Sequence, residues 1–205
     1  MLFNSVEFIL FFVVVLGTIV VVRNRTSQYF FVLIASYFFF FVSSNYLLSL
    51  LIFSTVLDFY IAKAIWKTED LRRKKMLLIS SLAGNLGLLG FFKYADFAIL
   101  QFNFLGNSLD MAGEIPLLNL VLPIGISFYT FQTISYTVDV YRGKLEPSKS
   151  FKEFALFVSF FPQLVAGPIL RARDFLPQLR EKLDNFQTGH KLRPVSYTHL
   201  RAHET

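Results

Sequence analysis

The 205-residue sequence contains no cysteine. That removes a disulfide framework, a thiolate metal site and a thiol nucleophile at once. Histidine is nearly as scarce: there are three, His190, His199 and His203, all close to the C-terminus. His199 and His203 stand four positions apart, as helical metal ligands do, but the surrounding SYTHLRAHET offers no third ligand except Glu204, so no metal site is expected. There is no Gly-rich phosphate loop, no H-E-x-x-H and no G-x-S-x-G elbow. Charge is thin, with 17% charged residues against 54% hydrophobic ones.

What is present is long apolar sequence. The mean hydropathy is +0.52 and phenylalanine alone accounts for 26 residues. Clustered in runs, such a composition describes an integral membrane protein rather than a soluble domain. The net charge of +6 lies between the apolar runs, where membrane topology places basic residues. It therefore points to the lipid bilayer as partner and not to nucleic acid. A cleavable signal peptide is not expected, because the first apolar run starts almost at once without a basic leader.

In chain order, the pattern predicts a span over Val6–Val22, closed by Arg23 and Arg25, then two more over about 28–42 and 46–65 with a turn at Ser43-Ser44-Asn45. After the charged loop Lys67–Lys75, a fourth span runs from Met76 to about Phe92, and its Gly84, Gly87 and Gly90 suit close helix packing. The segment Phe97–Leu118 is expected outside the membrane, with an interfacial helix. A fifth span, Leu122–Gly143, leads to a second basic loop, Tyr141–Glu153. The positive-inside rule then places the basic loops in the cytoplasm and the N-terminus outside, in a multi-pass protein of the cell membrane. Beyond it, Pro162, Gly167 and Pro168 divide Phe154–Arg173 into pieces too short to span, which predicts a re-entrant element. The expected fold is all-α, a polytopic transmembrane helical bundle with that re-entrant piece. No internal repeat is visible.

The organising stretch is LPIGISFYTFQTISYTVDVYRG. Pro123 and Gly125 precede a helix on which Tyr129, Gln132, Ser135, Tyr136 and Asp139 share one face, opposite Phe131, Ile134 and Val138. In lipid each polar group needs a partner, so this face should meet protein or a wet cavity, either as the lining of a substrate path or as an interhelical polar seam. Asp58 and Lys93 are further ionisable candidates. Asp58 sits late in its span and Lys93 can snorkel from a helix end, so both read first as structural.

This stretch, followed by FPQLVAGPILRARDFLPQL, resembles the membrane-bound O-acyltransferase family, on the bacterial branch around the alginate O-acetyltransferase. The segments NLGLLGFFKYADF and MLFNSVEFILFF resemble the same branch, and the similarity runs from residue 1 to about 187. The resemblance implies a many-helix bundle around a funnel and O-acetyl transfer to hydroxyls of an exported or cell-wall polysaccharide such as alginate. D-alanyl transfer to teichoic acid is the alternative within the family, and a transporter component or an inactive fragment the alternatives outside it. It implies no bound cofactor, an acyl thioester or similar donor as co-substrate, and periplasmic or extracellular acyl-transfer partner proteins. The family's catalytic histidine stands in a Trp-His-Gly type context that does not occur here, so no catalytic residue is carried over. Tyr129, Gln132, Tyr136, Asp139 and Gln163 are the residues assigned to funnel lining or support, and Pro123, Gly125, Pro162, Gly167 and Pro168 those that shape the backbone. Family members being roughly twice this length, residues 1–193 read as the N-terminal part of one membrane domain, inactive alone. The ending 194–205 resembles translated adapter sequence and is expected to be non-native.

Overall fold

The computed structural model describes residues 5–22, 24–44, 47–109, 113–120, 122, 125–166 and 171–187, with the backbone alone at 25, 164–166 and 180–187. Eight helices follow one another among these residues: α1 (Val6–Val21), α2 (Arg25–Ser44), α3 (Leu48–Lys67), α4 (Leu71–Ser108), α5 (Ile126–Tyr141), α6 (Phe151–Ser159), α7 (Phe161–Ala166) and α8 (Ala172–Gln187). Three stretches, Thr26–Ser44, Leu48–Lys67 and Leu71–Ser108, are long and apolar enough to cross a membrane, and α1 is a shorter apolar helix. The protein is an all-α membrane helical bundle.

Local chemistry sets the ends. Ser5, Asp70 and Ser150 each accept a backbone N–H from the first turn of α1, α4 and α6. Gly125 begins α5 at φ 75°, a left-handed conformation that glycine enters without a Cβ clash. At the other end Gly143 has φ 68°; its N–H donates to Val140 O and the N–H of Lys144 donates to Asp139 O. That double bond pattern is a Schellman stop. Gly125 is thus the residue from which α5 starts. Pro123 lies outside the described residues.

Two features of α4 differ from expectation. The helix does not stop near Phe92 but continues through Ser108, 38 residues in all, absorbing the segment assigned to an external interfacial helix. Nothing between Lys93 and Ser108 breaks it: there is no proline, and the polar side chains there find work along the helix. Of the three glycines, only Gly84 meets a neighbour closely, since a Cβ there would lie 2.8 Å from Leu57 Cδ2. Gly87 and Gly90 face open space.

The core lies where α3, α4, α5 and α6 converge, around Leu51, Phe59, Tyr136, Phe154 and Phe157. A second cluster joins Phe8 and Phe11 of α1, Phe39 of α2 and Phe161 of α7, with ring centroids 5.2 to 6.5 Å from Phe161. Helices α6 and α7, nine and six residues long, are each too short to span a bilayer. The chain breaks at Phe160, as it should where Pro162 has no N–H to give to the Val158 carbonyl. Gly167 and Pro168 lie outside the described residues.

Candidate functional site

Helix α5 buries Ile126, Tyr129, Thr130, Gln132, Thr133, Tyr136, Thr137 and Val140 and leaves Phe131 exposed. The polar face expected from spacing is thus real, but its centre is rotated. Tyr129, Gln132 and Tyr136 are buried, while Ser135 and Asp139 are only half-buried at its edge. Thr130, Thr133 and Thr137 complete the buried face.

On the α6 side, Gln132 and Tyr136 have specific hydrogen-bond partners. Gln132 donates from Nε2 to the Phe157 carbonyl at 2.7 Å, joining α5 to α6. The Tyr136 hydroxyl accepts the Ser148 N–H at 3.0 Å, and its ring stacks against Phe154 at a centroid distance of 4.4 Å. The Tyr129 ring meets Phe40 of α2 edge-on. Gln163, in α7, is 7% exposed and its Oε1 has no hydrogen-bond donor among the described residues.

On the other side of α5 lies a cluster of polar side chains built from three helices. Asp58 of α3 has no exposed surface and accepts the Ser81 hydroxyl on Oδ1 and the Asn85 amide, at 2.8 Å, on Oδ2. Asn85 gives its second N–H to the Ser81 carbonyl at 3.0 Å, and its Oδ1 accepts the Ser54 hydroxyl and lies 3.5 Å from Thr133 Oγ1. Thr133 and Thr137 of α5 lie beside the Asp58 carboxyl; the Thr133 hydroxyl donates back to the Thr130 carbonyl at 3.1 Å, and Thr137 Oγ1 has no hydrogen-bond partner among the described residues. No cationic side chain pairs with Asp58 among the described residues. A carboxyl is therefore held inside a membrane bundle by neutral donors alone, an arrangement kept where it is structurally or functionally required. Sequence reasoning named Asp58 but not its cluster. The legible signal was the pairing of Ser54 with Asp58, Ser81 with Asn85, and Thr133 with Thr137, each four apart on its helix.

An apolar cavity of about 290 Å³ lies elsewhere, between α2, α6 and α8, lined among others by Gln28, Leu156, Phe160, Phe175 and Leu179. No α5 residue lines it. Lys93 is exposed, its ammonium 5.5 Å from the Tyr94 ring centroid, but it lies within α4 and not at the helix end expected from the sequence, because α4 continues through Ser108. His190, His199 and His203, and the whole of 188–205, lie outside the described residues. Among the described residues no group of His, Cys, Asp and Glu is arranged to hold a metal ion.

No family profile and no solved structure matches the chain. Curated proteins do. The chain is 36% identical over 163 residues to the peptidoglycan O-acetyltransferase of Helicobacter pylori, covering 68% of this chain and 30% of that protein. It is 39% identical over 146 residues to the probable alginate O-acetylase AlgI of Pseudomonas aeruginosa, covering 68% of this chain and 28% of that protein. The corresponding protein of Azotobacter vinelandii is 37% identical over 149 residues, covering 69% and 29%. The chain thus spans under a third of the length of these relatives. Aligned sequence and motifs agree: the chain is a homologue of the bacterial polysaccharide O-acetyltransferases, and the resemblance is to the membrane-bound O-acyltransferase family on its alginate O-acetyltransferase branch.

Proposed function

We propose that this chain is part of a membrane O-acetyltransferase that acetylates hydroxyls of an exported or cell-wall polysaccharide. The observation that carries the reading is identity of 36% to 39% to proteins named for acetylation of peptidoglycan and alginate. D-alanyl transfer is not favoured, since these relatives are named for acetyl transfer. In the reaction, a base takes the proton of a sugar hydroxyl as its oxygen attacks the acyl carbonyl of a thioester or similar donor. The tetrahedral oxyanion then collapses, the bond to the donor breaks, and the leaving group is protonated. The base is a histidine supplied by sequence outside these 205 residues, as the family resemblance implies.

The role left to the present chain is support. Gln132, Tyr129 and Tyr136 fix α5 against α2, α6 and the α5–α6 loop, and Gln163 presents an amide oxygen still open to a donor. Asp139, at the edge of the same face, completes the assigned set. In the orientation we favour, a multi-pass chain in the cell membrane keeps its N-terminus outside and its basic loops in the cytoplasm, α6 and α7 forming a re-entrant element. Periplasmic or extracellular partner proteins would hand on the acyl group.

Replacing Gln132 with Leu in the complete enzyme removes the bond to Phe157 O without changing membrane insertion. Polysaccharide-bound acetate is expected to fall about tenfold, the effect of losing some 1.4 kcal/mol of positioning, at unchanged membrane expression. Equal acetylation at equal expression would sink the assignment of Gln132. Loss of the whole gene without change in polysaccharide acetate would sink the acetyltransferase reading itself.

A further inference from the structure

The bundle has two ends of opposite electrostatic character. Lys63 near the end of α3 donates to the Lys149 carbonyl at 3.5 Å, and Phe59 stacks edge-on with Phe151 at 5.1 Å. These contacts bring the end of α3, which runs on into KTEDLRRKK across the α3–α4 junction, to YRGKLEPSKSFKE, which runs from the end of α5 into α6. Lys152 reaches the start of α2, its ammonium 4.3 Å from the Phe30 centroid, while the Lys63 ammonium lies 4.0 Å from the Phe59 centroid. At the other end, the sequence has no Lys or Arg from Thr26 to Ala62 or from Tyr94 to Tyr141. Trp66, 46% exposed, sits between Lys63 and Lys67, and Tyr60 is 64% exposed one turn before.

Cations that lie over aromatic faces at the rim of an apolar bundle, beside an exposed Trp and Tyr, have the composition of a bilayer interface. In these two stretches nine Lys and Arg outnumber four acidic residues, Glu69, Asp70, Glu146 and Glu153; Asp70 is engaged as the cap of α4, and neither Lys63 nor Lys152 forms an ion pair among the described residues. We propose that this rim, through Lys63, Lys149 and Lys152 with Trp66 beside them, binds the phosphate headgroups of anionic phospholipid, selecting such lipid as neighbours over zwitterionic lipid. The inference rests on membrane insertion and not on the acyl-transfer reading. It concerns neither the acceptor nor the donor of that reaction.

Trp66 is the single tryptophan of these 205 residues, so with any tryptophan elsewhere in the complete protein replaced by Phe it serves as the reporter. The full chain is reconstituted in phosphatidylcholine vesicles containing equal mole fractions of phosphatidylglycerol, with bromine placed on the acyl chains of one lipid or the other. At low salt, brominated phosphatidylglycerol is expected to quench Trp66 about twofold more strongly than brominated phosphatidylcholine, and the preference should vanish toward 1 M salt, where screening acts within about 3 Å. The Lys63→Gln, Lys149→Gln, Lys152→Gln triple variant should quench equally with both lipids. Equal quenching of the wild type at low salt overturns the proposal, as does a triple variant that keeps the preference. Suppression by inorganic phosphate beyond chloride of equal ionic strength also overturns it, because the rim would then be a site for the free anion. Acetyl transfer is not read in this experiment, so either idea can fail alone.

Discussion

The two halves of α4 use polar residues in opposite ways. In the first half, Ser81, Gly84, Asn85 and Leu89 face α3 and α5, and side chain meets side chain around Asp58. In the second half, Phe97, Leu100, Phe102, Phe104 and Leu105 are exposed, and the polar residues reach backbone instead. Asp96 accepts the N–H groups of Leu118 and Leu120 at 2.8 and 3.2 Å. Asn103 gives its amide N–H to the Ile115 carbonyl at 2.8 Å and takes the Ile115 N–H at 2.9 Å. Asn107 bonds Glu114. One half thus fastens helix to helix, and the other makes a helix serve as the pairing edge for the extended chain that leads into α5. The difference follows from what each side chain can meet: within the bundle helical N–H groups are already spent and a helical carbonyl offers only its second lone pair, as at Ser81 and Phe157, whereas an extended segment offers unspent N–H and C=O groups.

The contrast can be broken at several points. The largest effect is expected for Asn85→Leu, which strips Asp58 of a donor and leaves the Ser54 hydroxyl without its acceptor. Unfolding in mixed micelles, followed by helical circular dichroism, should show a loss of roughly 2–4 kcal/mol. A loss within about 0.5 kcal/mol would mean that the cluster does not hold the three helices. Next in size is Gly84→Leu, where the added side chain meets Leu57 at once; overpacking of this kind costs about 1–3 kcal/mol. Asp96→Ala comes third, at about 1 kcal/mol, and should act locally. Amide exchange at Leu118 and Leu120 should quicken while exchange in α3 stays as it was. A slowing-free, molecule-wide response would erase the distinction between the two halves. The smallest change belongs to Gly87→Ala and Gly90→Ala, with open space beside each: stability should be unchanged or rise by up to about 1 kcal/mol through helix propensity.

Much of this architecture was readable. Apolar runs of bilayer length fall where α2 and α3 are found, but the charged loop expected at Lys67–Lys75 shrinks to Thr68–Asp70, because Lys67 ends α3 and Leu71–Lys75 form the first turns of α4. The break between α6 and α7 follows from Pro162. The continuation of α4 was not readable, because Lys93 and Asp96 look like the start of a loop when hydropathy is the guide. Asp96 remains helical because it finds Leu118 and Leu120, partners 22 and 24 residues away that no local pattern reveals. The buried face of α5 is centred on Tyr129, Thr133 and Tyr136 and lies farther from Asp139 than the spacing of the large polar residues predicts. A threonine hydroxyl carries one donor that can bond back to its own helix, as Thr133 does to the Thr130 carbonyl, so it marks a buried polar face less plainly than a carboxamide. For the glycines, spacing alone could not tell the one against α3 from the two facing outward, as that depends on how α4 is rotated in the bundle.

The Asn85 side chain has one further consequence. Both of its N–H groups and its oxygen are engaged, with Asp58, Ser81 and Ser54, at one level of the bundle. Hydrocarbon contacts among Leu, Ile and Phe change little if α4 slides by a turn, because lipid tails solvate whatever is uncovered. A slide of one turn, about 5.4 Å, would part Asn85 from Asp58 and Ser54, and Ser81 from Asp58, all at once, keeping only the bond to the Ser81 carbonyl, which lies on the same helix. Asn85 thus acts as an alignment pin: it adds less to how tightly the helices hold than to which of several nearly equivalent stackings they adopt.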